Sequence, residues 1–234
     1  MSASSASRPD PVSPLVQQLV AASGILFAVL IVLAFAIGLK EPPTGDDPIG
    51  EWTQFARDNE EDVRIGALVF GLAIYNFVLF LGYLRSAIGE AEVRVRGFSR
   101  AGSMVQIGGV LGMVGLALFF FVNALSIQHP ETPPETIKAL NALSGAGLGL
   151  AAGGFGACLV TVALVNAGVR ALPSWLGWVA LAGGLAFVLQ LGVLLSEYDD
   201  ENFFGIFFPI AFVLLVIFAI GASLTFLRER RSPA

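Results

Sequence analysis

Six stretches of this chain are apolar for the length that a bilayer demands, and nothing else in the sequence limits its fold as much. A spanning α-helix needs about 20 apolar residues, because the hydrocarbon core is about 30 Å thick and a helix rises about 1.5 Å per residue. The stretches run Leu15–Leu39, Val63–Leu84, Gly102–Leu125, Ile137–Val165, Trp175–Leu195 and Phe203–Leu227. Their only charged residues are Arg64 and Lys138, each second from an end. In lipid every backbone N–H and C=O must be satisfied within the chain, so such stretches fold as helices. The expectation is an all-α polytopic transmembrane bundle of six helices.

Composition agrees with this. The 234 residues are 56% hydrophobic and 13% charged, where a soluble domain carries roughly a quarter charged residues. Too few polar groups remain to cover a water-facing surface. The length suits one domain. Residues 1–14, rich in Ser, Ala and Pro, read as a disordered cytoplasmic tail. Residues 15–228 form the membrane domain, and 229–234 a short cytoplasmic tail.

Orientation follows from basic residues in the short loops. Arg8, Arg85, Arg94, Arg96, Arg100, Arg170, Arg228, Arg230 and Arg231 fall on one side, and Lys40, Arg57, Arg64 and Lys138 on the other. The richer side is predicted to be cytoplasmic, with both termini on it. Most acids lie opposite, in the segments Glu41–Asp62, Glu131–Glu135 and Glu197–Glu201. Ala34-Phe35-Ala36 offers a signal-peptidase pattern. The apolar stretch before it is too long for an ordinary signal h-region and its flank is barely basic. It is read as the first span.

Boundary residues carry further expectations. Pro14 and Pro173 suit helix starts, and Thr132-Pro133-Pro134-Glu135 suits a capped start to the fourth helix. Asp47-Pro48 opens a segment in which Ile49, Trp52, Phe55 and Ala56 share one helical face. This predicts a short amphipathic helix lying in the outer interface with Trp52 at headgroup depth.

Candidate sites are few. Gly145, Gly149, Gly153 and Ala157 recur every four residues and predict a packing ridge on the fourth helix; Gly108, Gly112 and Gly115 offer a groove on the third. Gly147–Ala152 matches a dinucleotide-binding G-x-G-x-x-A spacing, but it lies mid-span, where no strand can precede it. Asn76, Gln106, Asn123, Asn141, Thr161 and Gln190 are the intramembrane polar residues. Asn76, Gln106 and Gln190 are the possible polar contacts, with glue between helices as the simpler role. Pro209 is a possible hinge in the sixth helix. The acidic runs 58–62 and 197–202 lack the register of an EF-hand loop.

One Cys and one His exclude an intrachain disulfide, and a zinc or haem site built from several such ligands. Cys158 sits within the fourth span and His129 in a loop. No catalytic residue, metal or cofactor is expected. The scattered arginines serve topology and attract anionic lipid by about 1 kcal/mol per charge, so no nucleic-acid partner is expected. The expected partners are the lipid bilayer and a membrane protein or a second copy of the chain.

Ala171-Leu172-Pro173-Ser174-Trp175-Leu176-Gly177-Trp178, followed by Leu181-Ala182-Gly183-Gly184, resembles a large bacterial family of six-helix membrane proteins classed as a domain of unknown function. The resemblance implies six helices and a bacterial inner membrane, and it carries no functional residues. The expected function is a non-catalytic membrane module that binds a partner or lipid. The alternative is a small-solute transporter or channel that is not coupled to protons, since the helix centres hold no Asp, Glu, His, Lys or Arg.

Overall fold

The computed structural model describes residues 14–43, 47–92, 100–127, 132–192 and 206–229. They form six helices: α1 (Pro14–Gly38), α2 (Ile49–Glu92), α3 (Ala101–Ile127), α4 (Pro134–Val169), α5 (Ser174–Gln190) and α6 (Phe207–Glu229). No strand occurs among the described residues. Five of the helices are long and apolar enough to cross a membrane, which marks the chain as a multi-pass membrane protein. The remaining helix, α5, has 17 residues and spans about 25 Å. It is shorter than the expected Trp175–Leu195, whose last three residues lie outside the described set.

Sequence neighbours pack side by side, and α1 returns against α6, so the helices close into a ring; α2 also reaches across to α4. Phenylalanine fills the ring. Contacts run without a break from Phe70 to Phe120, Phe35, Phe208, Phe187, Phe155, Phe77, Phe80 and Phe218, visiting all six helices. Phe70 stacks on Phe120 at 4.5 Å, and offset or edge contacts of this kind add about 0.5–1.5 kcal/mol per pair. Outward positions carry Leu68, Tyr75 and Ile107, all more than half exposed to what would be lipid.

The closest pairing is α3 on α4, and it corrects the expected ridge. Gly108, Gly112 and Gly115 do face α4, as the groove on the third helix predicts. On α4 the seam consists of Gly147, Ala151, Gly154 and Cys158. Gly145 and Ala157 are exposed, Gly149 and Gly153 half-buried, and a Cβ at Gly145 or Gly153 would meet nothing. The reason is helical drift. A strict four-residue repeat advances about 40° per step and leaves its face within three steps. Alternating steps of four and three hold one face toward a neighbour.

Three other expectations are corrected. The segment after Asp47 is not a separate helix in the interface. It is the first part of α2, which runs 44 residues without interruption, about 66 Å. Trp52 is 3% exposed and packs with Ala56, Val63, Ile127 and Ile137 in a second small core at the C-terminal end of α3 and the N-terminal end of α4. Pro209 is the third residue of α6. In the first turn its missing N–H would have no helical partner, so it starts the helix instead of hinging it. At α4 the N-cap position is Pro133, with no side-chain cap; its carbonyl accepts from Thr136 N and Ile137 N.

The α4–α5 turn depends on a residue the sequence did not single out. Arg170 takes a left-handed conformation, φ 51°, and its N–H donates to Asn166 O at 2.9 Å. Asn166 is 4% exposed, and its Oδ1 accepts from the Leu172 N–H at 2.7 Å. Asn166→Leu would strand that buried N–H, at about 1–3 kcal/mol. We expect a lower thermal midpoint in detergent, with Asn166→Asp, which keeps the acceptor, closer to wild type. Equal midpoints for Asn166→Leu and wild type would mean that water serves the turn.

Candidate outer-end cavity

Four helices meet around one small space at the predicted outer end of the bundle. A Cβ built on Gly38 comes to 3.0 Å from Gly66 Cα, so α1 leaves the bundle touching α2. Lys40 Nζ then pairs with Asp62 Oδ2 at 2.6 Å. Both side chains are partly exposed, so the pair adds little stability; its effect is to tie the end of α1 to α2. Beneath lies a cavity of about 90 Å³, walled by Leu39, Val63, Phe119, Ile127 and Ile137 and by the polar residues Trp52, Asn123, Ser126 and Asn141.

The polar groups are ordered by one another. Ser144 Oγ lies 3.1 Å from Asn123 Oδ1 and 2.7 Å from Asn141 O, joining α3 to α4. Ser126 Oγ donates to Asn123 O at 2.7 Å. The Ser144 hydroxyl has one proton to share between Asn123 Oδ1 and Asn141 O, and the shorter contact is the one to Asn141 O. Trp52 can only donate, and its buried indole N–H has no partner among the described residues. An unpaired buried donor costs about 1–3 kcal/mol. The cavity is therefore walled in part by a residue with an unpartnered buried donor, among apolar side chains, and an acceptor would suit it.

The polar residues marked in the sequence fall elsewhere. Asn76 is half-buried and donates one amide N–H to Leu72 O at 2.9 Å on its own helix. Gln106 is half-buried on α3, and Gln190 ends α5 with a buried Oε1 that has no partner among the described residues. None of the three lines the outer cavity. Asn123 and Asn141, also among the intramembrane polar residues of the sequence, do. Trp52 was legible as part of an apolar face, but that face meets protein, not headgroups.

The acidic run 58–62 lies on α2, where helical geometry spreads its carboxylates around the axis; Asp62 pairs with Lys40, and Glu60 with Arg64 at 3.0 Å. No three His, Cys, Asp or Glu residues gather as a metal site among the described residues. Cys158 is buried in the α3 seam. His129 and the run 197–202 lie outside the described residues. No protein-family model, curated protein or solved structure matches the chain.

Proposed function

We propose that this is a six-span membrane protein, with both termini cytoplasmic, that acts as a non-catalytic module holding a lipid or a partner protein at its outer end. The phenylalanine network carries this reading. A conduit needs a polar or water-filled path, yet the interior is closed by ring contacts that touch every helix. Phe119, in the wall of the outer cavity, is itself in contact with Phe35 and Phe120 of that network. A solute arriving from outside would stop there. No Asp, Glu, His, Lys or Arg sits mid-span in the described helices, so proton coupling lacks its usual carrier. Placement in a bacterial inner membrane rests on the resemblance of the stretch Ala171–Gly184. The alternative, a solute carrier or channel without proton coupling, has only the outer cavity in its favour.

Two measurements test this. Single cysteines at Asp47, Glu131, Asp200, Arg94 and Ala171 in a Cys158→Ala background are treated with a membrane-impermeant thiol reagent on intact cells. We expect labelling of the first three only. The contrast of Ala171 with Asp200 decides whether the short α5 belongs to a sixth crossing, and labelling at Arg94 or Ala171 would overturn the orientation. In the second, vesicles with a pH-sensitive dye inside are given a pH gradient and a panel of small solutes. We expect no solute-dependent proton movement above empty vesicles. Such movement would favour the carrier reading.

A further inference from the structure

We infer that the outer-end cavity is a binding site for the ester carbonyl of an acyl lipid, with the Trp52 indole N–H as its principal donor. The inference deepens the proposed lipid-holding role and rests on it. Three observations converge on this chemistry. First, a residue of the pocket wall carries a buried donor without an acceptor. Trp52 is 97% buried, being 3% exposed, and its Nε1 has no partner among the described residues. Second, the occupant should be neutral at the point of contact. The one cation at the rim among the described residues, Lys40, is neutralised by Asp62 at 2.6 Å. The outer segments carry most of the acids of a chain with net charge −5, and such a field repels a free anion. A carbonyl supplies a strong acceptor without a charge.

Third, the depth and the walls suit a lipid. The cavity lies between the last turn of α1 at Gly38 and the charged pair just beyond it. In a six-span protein that level is the boundary between hydrocarbon and headgroups, where acyl esters reside. Leu39, Val63, Ile127 and Ile137 give apolar walls. A volume of about 90 Å³ holds a carbonyl with about two methylenes, at roughly 30 Å³ per water-sized group. It does not hold a whole headgroup, so only the ester segment enters. Water is the rival occupant, because a polar cavity of this size can hold it.

The test separates ester, water and lipid in general. The full chain carries three tryptophans, and Trp175 and Trp178 are exposed on α5, so Trp175→Phe/Trp178→Phe leaves Trp52 as the only indole reporter. The protein is purified in dodecyl maltoside, a detergent without a carbonyl. It is titrated with dihexanoyl phosphatidylcholine and with the matched di-O-hexyl ether lipid. We expect a saturable change in Trp52 emission with the diester and binding weaker by about fivefold or more with the diether, the worth of one net hydrogen bond. Native mass spectrometry of Trp52→Phe should show that the diester preference is lost while the protein stays folded. Equal affinity for the two lipids, or no response of Trp52 to either, would overturn the carbonyl site even if lipid is retained elsewhere. Should the wild-type chain retain no lipid at all, the lipid-holding role itself falls.

Discussion

Gly115→Ala and Gly154→Ala should each destabilise the protein by at least about 3 kcal/mol, above the ordinary range for overpacking, and should sharply lower the yield of monodisperse protein. A methyl at Gly115 would overlap the Ala151 backbone nitrogen and the Gly147 carbonyl. One at Gly154 would overlap the Gly112 nitrogen. In both cases the obstacle is main chain on the facing helix, which cannot swing aside as a side-chain tip can. The two helices must separate, and in a bilayer close van der Waals contact is most of what holds helices together. Gly145→Ala and Gly153→Ala are the controls. Nothing lies within reach of a Cβ at either position, and alanine exceeds glycine in helix propensity by up to about 1 kcal/mol. Those variants should match or exceed wild type. Thermal midpoints in detergent decide the matter: indistinguishable values for the two pairs would mean that α3 and α4 do not meet along this seam.

The α4 seam shows where sequence reading reached its limit. Small residues on the fourth helix marked it as a packing helix, and the glycines of the third helix marked the matching groove. The choice among the many small residues of α4 could not be made from spacing alone. Gly145, Gly149, Gly153 and Ala157 form the more regular series, yet regularity at four residues is a spiral, not a face. What selects Gly147, Ala151 and Gly154 is contact with a particular neighbour, and that is a tertiary fact. The helix spans were legible because burial in lipid imposes length and polarity on every residue of a span. The helix ends were less so, since α2 begins fourteen residues before the apolar stretch it contains.

The cavity was only half legible for a related reason. Asn123 and Asn141 were visible as polar residues near helix ends, and Trp52 as an aromatic on an amphipathic face. Their convergence depends on α2 continuing past the bilayer and folding its first turns over α3 and α4. A sequence shows that Ile49, Trp52, Phe55 and Ala56 share a face but not whether lipid or protein covers it, because both are apolar. Asn166 was missed because a buried turn that needs a side-chain acceptor looks, in sequence, like any helix end with an Asn. Pro209 illustrates the opposite error. A proline within an apolar run reads as a kink only if the helix begins well before it, and α6 begins at Phe207.

Phe120→Ala should lower stability by about 2 kcal/mol, and the size of that loss bears directly on function. In water, truncating a buried ring forfeits its transfer from solvent and also leaves a cavity, together about 3–5 kcal/mol. In a bilayer the unfolded helices still sit in hydrocarbon, so most of the transfer contribution drops out. A cavity of roughly 100 Å³ remains, at about 24 cal/mol per Å³. Phe120 is 2% exposed, stacked on Phe70 at 4.5 Å and edge-on to Phe35 at 5.0 Å, so little can collapse into the space. Ile107→Ala, at a position 61% exposed, is the lipid-facing control and should cost far less. Unfolding free energies in mixed micelles would give both values. If the bundle instead enclosed a wetted path for a solute, Phe120 would border water, the space left by truncation would fill with it, and the loss would shrink toward that of Ile107→Ala. A difference of about 2 kcal/mol between the two variants is what a sealed, dry interior requires; near equality would remove the main support for a non-conducting module and return the carrier reading to first place.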